Sequence, residues 1–147
     1  MEHRVVMQRS VFPAPADAVW ERLQHLSTLQ YIAAPFASFA PLNDAGGLRW
    51  QEGGTYQFRF RLFCLFPLGV HTIHMIRFQK AGYVIETEES NPHVPVWDHR
   101  ILLKELAPDR TEYTDQVELC AGWKTPFVWL WAKCFYAHRQ KKWRKLL

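Results

Sequence analysis

Two polar side chains interrupt runs in which apolar and polar residues alternate. His99 lies in the run WDHRILLKEL, and Asp115 lies in the run RTEYTDQVEL, beyond the turn that begins at Ala107. The alternation predicts two strands of one hairpin, and its parity places both side chains on the apolar face. They would then be near or diagonal cross-strand neighbours within hydrogen-bonding reach. An imidazole beside a carboxylate can orient a polar group of a ligand or act as acid and base.

The same pair also has a purely structural explanation. A histidine and a carboxylate inside a hairpin can satisfy each other and fix the register of the two strands without any ligand. We favour this interpretation, because one histidine and one carboxylate without a nucleophile are a weak catalytic signal. The sequence therefore assigns no catalytic residue.

The remaining histidines do not have the spacing of a metal site. Ligands on one strand must be two residues apart to share a face, whereas His71 and His74 are three apart. Four others have no His or Cys partner at ligand spacing: His3, His25, His93 and His138. The sequence also contains no glycine-rich phosphate loop, GxSxG elbow or HExxH motif. We therefore expect neither a metal nor a cofactor.

The strands that must position the pair begin at Thr55, where apolar residues start to recur at every second position. From Tyr56 to Phe66 every second residue is apolar, which predicts a long half-buried strand. A turn at 67–69 and a second strand at 70–79 would then pair even-numbered residues with even-numbered ones. The inward residues of this second strand would be Val70, Thr72, His74, Ile76 and Phe78.

A third strand at 83–90 is predicted to turn its odd-numbered residues inward. The opposite choice would bury Glu86 and Glu88, which is unfavourable for unpaired carboxylates. The inward residues would be Tyr83, Ile85 and Thr87, with Glu89 at the end of the set.

The elements before Thr55 are short. A first strand at 3–12 ends at two prolines, and a helix at 16–23 follows it. Ser27 can cap a second short helix, which ends before Pro35. A short strand at 36–42 and a glycine-rich loop at 43–54 come next. With the last hairpin, the chain has about seven strands.

The end of the chain predicts one long helix from Thr125 to Leu147, without glycine or a further proline after Pro126. One stripe at i, i+3, i+4 and i+7 spacing consists of Phe127, Leu130, Trp131, Cys134, Phe135 and His138. We expect Leu130, Trp131 and Phe135 to be buried. The polar second half, HRQKKWRK, is expected to lie in water, so that trimming from Lys141 onward would leave a folded domain.

The composition is that of one globular domain at 1–147, with 48% hydrophobic and 22% charged residues. Seven Trp among 15% aromatic residues indicate a bulky core or an aromatic-lined cavity. The charged start, MEHRVVMQRS, lacks the apolar run of an export signal, so the expected location is cytoplasmic. Cys64, Cys120 and Cys134 have no CxxC spacing and are expected to be buried small apolar residues rather than disulfides or zinc ligands.

Positive charge is concentrated near the C-terminus, where five of the 18 basic residues lie between Arg139 and Lys145. Such a cluster suits nucleic acid or anionic membranes, but it also complements the dipole of a solvated helix end, which is the interpretation we favour. We expect no nucleic-acid partner and at most weak contact of this tail with anionic membranes.

A group of apolar residues is predicted on the outer face of the sheet: Phe63, Leu65, Ile73 and Met75. This patch can be a dimer contact or a set of scattered surface residues, so the sequence is compatible with both a monomer and a homodimer.

The order strand, two short helices, antiparallel strands and long terminal helix resembles the START and birch-pollen-allergen-like superfamily, also called SRPBCC. The resemblance is carried by SVFPAPADAVWERL at 10–23, GGTYQF at 53–58, WDHRILLKEL at 97–106 and RTEYTDQVEL at 110–119. It implies an α+β helix-grip fold, with a curved antiparallel sheet of about seven strands wrapped around a long C-terminal helix and two short helices after strand 1.

The resemblance also implies an apolar cavity between sheet and helix that binds lipids, polyketides, hormones or other hydrophobic small molecules. Because the enzymes of this superfamily share no catalytic motif, no catalytic residue is carried over. We expect a carrier, sensor or accessory factor; the alternative is an enzyme of the cyclase, dehydratase or hydrolase type that acts on such a ligand in the same cavity. The segments AGWKTPF and HVPVW depart from the superfamily pattern near the opening of its pocket, so the ligand is not identified.

Strand parity and the terminal helix together predict which residues line this cavity. They are Tyr56, Phe58, Phe60, His74, Ile76, Thr87, His99, Ile101, Tyr113, Asp115, Val117, Trp131 and Phe135. The polar members, His74, Thr87, His99 and Asp115, would form one polar patch in an otherwise apolar and aromatic wall.

Overall fold

The computed structural model describes residues 2–42 and 48–147, so the predicted loop at 43–54 lies partly outside the described residues. The strands are β1 (Arg4–Phe12), β2 (Ala37–Pro41), β3 (Thr55–Leu62), β4 (Phe66–Gln79), β5 (Val84–Asn91), β6 (Val94–Ala107) and β7 (Arg110–Cys120). They form one antiparallel sheet in the order β1-β7-β6-β5-β4-β3-β2. The sheet follows the chain from β2 to β7, and β1 closes it as the edge strand beside β7.

The helices are α1 (Ala16–Leu23), α2 (Leu26–Ala33) and α3 (Thr125–Trp143), with 3-10 turns at Gly122–Lys124 and Arg144–Leu146. α1 lies where it is predicted, and its apolar residues Val19, Trp20 and Leu23 are buried. α3 is 19 residues long and packs on β1, β7 and α2. The predicted α+β architecture is confirmed. Among the described residues, no helix is long and apolar enough to span a membrane.

The turn between β3 and β4 lies earlier than predicted. The chain reverses at Phe63 and Cys64, which both have positive φ, and not at 67–69. The β4 strand therefore begins at Phe66 and is longer than the sequence pattern indicates.

A bulge in β4 then changes the parity of the pairing. Between Arg59, which pairs with Val70, and Arg61, which pairs with Pro67, β4 contains one residue more than β3. Gly69 lies in this bulge with a φ of +88°, a conformation that glycine adopts without strain. The extra residue shifts the inward side chains of β4 by one position, from even to odd numbers.

The shift overturns the predicted inward set of β4. The buried residues of this strand are His71, Ile73 and Met75. His74 and Ile76 lie on the opposite face, and Ile76, at a second bulge, is 40% exposed. This second bulge restores the predicted parity, so Phe78 points inward again. The predicted outer apolar patch consequently keeps Phe63 and Leu65 but loses Ile73 and Met75.

The buried face of α3 differs from the predicted stripe. It consists of Thr125, Ala132, Phe135, Tyr136, Arg139, Gln140 and Trp143. Phe135 is buried as predicted, but Leu130 is exposed and Trp131 is only half-buried. The helix is rotated from the predicted orientation because the longer stripe, which ends at Trp143, is the one that packs on the sheet.

The C-terminal part of α3 is not a solvated tail. Trp143 is 0% exposed, and its ring packs 5.5 Å from that of Tyr113 and 6.0 Å from that of Phe12. Lys142 donates a hydrogen bond to the carbonyl of Ala34 at 3.0 Å. The expectation that this half lies in water is wrong, and trimming from Lys141 would remove a core residue. The predicted contact with anionic membranes now rests on the exposed cations Lys141, Arg144 and Lys145.

The three cysteines, all among the described residues, form no disulfide and lie in different surroundings. Cys120 is buried as expected, and Cys64 is half-buried in the turn between β3 and β4. Cys134 is exposed on α3, against the expectation of burial. The exposure of Cys134 has the same cause as that of Leu130, namely the rotation of the helix.

Candidate functional site

A cavity of about 580 Å³ lies between the sheet, α2 and α3. This is within the range of about 300–1,000 Å³ that is usual for small-molecule pockets. Most of the wall is apolar, with Leu29, Phe39, Phe60, Ile73, Met75, Ile85, Trp97, Ile101, Trp131 and Phe135 among its residues. Trp123 and Phe127 also border the cavity and are 81% and 70% exposed, so the cavity opens at the N-terminal end of α3. The exposed His25, between α1 and α2, borders the cavity as well.

The structure places only part of the predicted set on the cavity wall. These residues are Phe60, Thr87, His99, Ile101, Trp131 and Phe135. Four others are buried behind the wall: Phe58, Tyr113, Asp115 and Val117. Tyr56 is half-buried, and its hydroxyl donates a hydrogen bond to the carbonyl of Arg49 at 2.9 Å.

Two predicted residues are not brought to the cavity. Because of the bulges in β4, His74 and Ile76 lie on the other face of the sheet. The ring of His74 is hydrogen-bonded there to the hydroxyl of Thr55 at 2.7 Å. His71 takes the place that the prediction gave to His74.

One half of the polar cluster in the cavity is centred on Glu89 of β5. Its Oε1 accepts a hydrogen bond from Nε2 of His71 at 2.7 Å, and its Oε2 accepts one from the hydroxyl of Thr87 at 2.6 Å. The other ring nitrogen of His71 lies 3.5 Å from the side-chain amide of Asn91. The shifted register of β4 is what brings His71 beside this carboxylate.

The other half of the cluster joins β6, β7 and α3. Nε2 of His99 and Oδ1 of Asp115 are 2.7 Å apart, so the predicted cross-strand pair is confirmed as a diagonal one. Gln140 of α3 donates to Oδ2 of Asp115 at 3.0 Å and to the carbonyl of Gln8 at 2.8 Å. It also accepts a hydrogen bond from the hydroxyl of Ser10 at 2.5 Å. The carboxylate of Asp115 is thereby held between the cavity wall and the helix.

The two halves meet at His99, whose Nδ1 lies 3.8 Å from Oε2 of Glu89. Burial alone would lower the pKa of His99, but the hydrogen bond to Asp115 and the proximity of Glu89 outweigh burial and raise this pKa. Burial alone would raise the pKa of each carboxylate, yet the hydrogen bonds from His71 to Glu89 and from His99 to Asp115 hold both pKa values below their usual range. The cluster therefore favours a protonated His99 between two ionised carboxylates.

A second buried cation, Arg139 of α3, borders the same cavity. Its guanidinium carbon lies 5.0 Å from the ring centre of Tyr136 and 5.5 Å from that of Phe135. Burial would lower the pKa of Arg139, but the negative charge of Asp115 raises it, so the side chain stays charged. Burial also raises the pKa of Tyr136, whose hydroxyl accepts a hydrogen bond from Nε1 of Trp97 at 3.1 Å.

The cluster can donate and accept hydrogen bonds and protons. A protonated His99 is a donor, the Glu89 carboxylate is an acceptor, and the hydroxyl of Thr87 can act as either. Within the described residues, no group of three or more His, Cys, Asp or Glu side chains is arranged to hold a metal ion. The arrangement therefore suits the orientation of a polar ligand group or general acid–base chemistry.

The model of one protein family matches residues 10–147, and that family is described as a domain of unknown function (DUF8410). The chain belongs to this family. A search of the curated proteins found no match to the DUF8410 chain.

Solved structures with a similar fold cover nearly the whole DUF8410 chain. A START superfamily protein from Mycobacterium smegmatis has a TM-score of 0.74 at 15% identity, over 98% of this chain and 96% of that chain. The Zhui aromatase/cyclase from Streptomyces sp. R1128 has a TM-score of 0.66 at 16% identity, over 98% and 90%. Norcoclaurine synthase from Thalictrum flavum, in complex with dopamine and hydroxybenzaldehyde, has a TM-score of 0.69 at 12% identity, over 99% and 86%. These likenesses confirm the predicted helix-grip fold.

Sequence reasoning missed several polar residues of the DUF8410 cavity, among them His71 and Arg139. His71 was missed because the bulge changes which residues of β4 point inward, although Gly69, two residues before it, is a sequence signal for a bulge. Arg139 was assigned to a solvated tail, although it lies four residues after Phe135 and four before Trp143, on the same helix face. Helical spacing anchored at Trp143 would have found it.

Proposed function

We propose that this DUF8410 protein binds a hydrophobic small molecule, such as a lipid or polyketide, between the sheet and α3, as a carrier, sensor or accessory factor. The observation that carries the proposal is the cavity of about 580 Å³, with a largely apolar wall and one polar cluster. An apolar ligand body would pack on the aliphatic and aromatic wall, which supplies affinity. A polar end of the ligand would bind at Thr87 and His99, which supplies orientation.

The structural neighbours support the same class of ligand by analogy of fold. One of them is an aromatase/cyclase, and another was solved with dopamine and hydroxybenzaldehyde, which are small aromatic molecules. Fold analogy alone does not determine a ligand, so the site residues of this chain carry the proposal.

The test begins with native mass spectrometry of the purified protein, to find a lipophile that co-purifies with it. The wild type and His99→Ala are then titrated with that molecule. We expect His99→Ala to weaken binding by about 1–3 kcal/mol, because a buried hydrogen-bonding partner is lost. His3→Ala is the matched control, since His3 is an exposed histidine paired with Glu118 on the surface. If the protein binds no lipophile and neutral apolar dyes do not enter it, the proposal is wrong.

A specific observation also favours an enzyme of the cyclase, dehydratase or hydrolase type acting on such a ligand. Glu89 is hydrogen-bonded to His71 and lies 3.8 Å from His99, so a base and a potential acid share one wall of the cavity. In this alternative, His99→Ala keeps its affinity for the ligand but loses turnover. A product assay run beside the titration therefore separates the two functions.

A further inference from the structure

The side chain of Arg139 is unusual among the polar residues of the cavity. It is only 5% exposed, and it borders the cavity. A guanidinium carries five N–H donors, and a buried polar group without a partner is costly. Yet within the part of the chain that the structure describes, Arg139 forms no salt bridge and its Nε is buried without a hydrogen-bond partner; the neutral hydroxyl of Tyr113, on the core side, is the acceptor that interacts with the guanidinium. Its contacts are with the faces of two rings, those of Phe135 and Tyr136.

The neighbouring carboxylates of Asp115 and Glu89 form their salt bridges with histidines and, among the described residues, none with Arg139. Asp115 accepts hydrogen bonds from His99 and Gln140, one on each oxygen. The two oxygens of Glu89 are likewise taken by histidine and threonine side chains. Each of the four carboxylate oxygens thus already accepts one hydrogen bond, whereas Nε of Arg139 is buried without a partner. Because Arg139 also borders the cavity, an acceptor group on a bound molecule can reach the guanidinium from that side.

We propose that the molecule bound in this cavity carries a carboxylate, or another anionic oxygen group, and that Arg139 is the residue that binds it. The inference rests on the function proposed above and specifies its ligand class as an anionic amphiphile. A guanidinium binds a carboxylate through two parallel hydrogen bonds, which gives both affinity and a defined orientation. Because Arg139 lies in the C-terminal half of α3 and the cavity opens at the N-terminal end, the ligand enters with its charged group first.

The experiment compares ligands that differ only at one end. Dodecanoate, dodecanol and methyl dodecanoate are used to displace Nile red, a neutral apolar dye, from the full chain. We expect the wild type to bind dodecanoate at least about tenfold more tightly than the two neutral ligands, as a charge-assisted pair requires. Equal displacement by all three overturns the assignment to Arg139 but leaves the proposed function intact. If no probe binds, the proposed function fails and this inference fails with it.

Variants test whether Arg139 is the source of the preference. Arg139→Gln should lose the roughly tenfold preference and keep its affinity for dodecanol, while Arg139→Lys should keep part of it, because a lysine retains the charge but not the fork of donors. Arg144→Gln is the matched control, since it removes one exposed positive charge a few residues further along, and it should behave as the wild type. A full preference for dodecanoate in Arg139→Gln overturns the inference. Should that variant not fold, the Lys variant decides: an unchanged preference in it contradicts the paired geometry.

Discussion

In α3, the more apolar half has exposed apolar side chains, and the more basic half has buried polar ones. The N-terminal half is rich in aromatic and aliphatic residues, yet Phe127 and Leu130 are exposed. The C-terminal half is rich in basic residues, yet Arg139, Gln140 and Trp143 are buried. The comparison shows that the polarity of a helical segment does not by itself decide how deeply it is buried.

The difference follows from what lies opposite each half. The N-terminal half borders the cavity, and Phe127 lies at its opening, although Trp129 and Trp131 still contact β1 and β6. The C-terminal half packs directly against the sheet, where Trp143 meets Phe12 and Tyr113 and Gln140 binds the backbone of β1. Buried polar groups are tolerated there because hydrogen bonds and charges compensate them.

The largest change in stability that tests this comparison is expected for a substitution of Trp143. Trp143→Ala should lower the free energy of unfolding by about 3–5 kcal/mol, because it opens a cavity in the core. Phe127→Ala, at a residue of similar apolarity in the other half, should lower it by about 0.5 kcal/mol or less. Urea denaturation of both variants measures the two values. Comparable losses for the two variants would contradict the assignment of the core to the C-terminal half.

A smaller effect is expected at Gln140. Gln140→Ala should lower the free energy of unfolding by about 1–3 kcal/mol, since it removes donors from the buried Asp115 and from the carbonyl of Gln8. The neighbouring exposed residue provides the control, because Lys141→Ala should change stability by only about 0.5 kcal/mol or less. A neutral Gln140→Ala would show that polar residues of this half are not held by their hydrogen bonds.

The smallest effect concerns the pH dependence of stability. The folded-state pKa of His99 is raised, so the stability that its protonated form contributes is fully present below its ordinary pKa of 6.5 and is lost as the pH rises through the raised value. His99→Gln keeps a donor for Asp115 but cannot titrate. The difference in unfolding free energy between wild type and His99→Gln should therefore shrink as the pH rises from about 6 to about 9.

The contribution of the other member of the pair, Asp115, to stability changes in a different pH range, at acid pH. The pKa of Asp115 is held below its ordinary value of 3.8, so its contribution to stability is present above that value and is lost as the pH falls through the lowered one. Asp115 and His99 thus stabilise the fold in different pH windows. A stability difference for His99→Gln that is flat between about pH 6 and about pH 9 would show that the pKa of His99 is not raised in the folded protein.

The regular elements could be predicted from the sequence because their signals are local. The hairpin of β6 and β7 has unbroken alternation and a short turn, so its parity and the contact between His99 and Asp115 follow from the sequence. The register of β4 does not follow, because a bulge depends on how the strand bends over the core. A single extra residue at Gly69 exchanged His74 for His71 in the cavity.

The buried face of α3 was mispredicted for a different reason. Helical spacing predicts which residues share a face, but several faces of α3 contain apolar residues, and polarity favours the wrong one. The face that packs on the sheet includes two polar residues: Gln140, which donates a hydrogen bond to Asp115, and Arg139, which borders the cavity. Polar residues that belong to a site therefore interrupt the hydrophobic pattern from which the buried face of a helix is predicted.

The packing of Trp143 against Phe12 and Tyr113 also sets one limit of the cavity. These rings fill the space between helix and sheet at one end, and the exposed Trp123 and Phe127 border the cavity at the other end of α3. If the protein binds a ligand as proposed, a ligand longer than the cavity cannot extend past these rings. Its far end would then project beyond Trp123 and Phe127 into solvent, where another molecule can contact it.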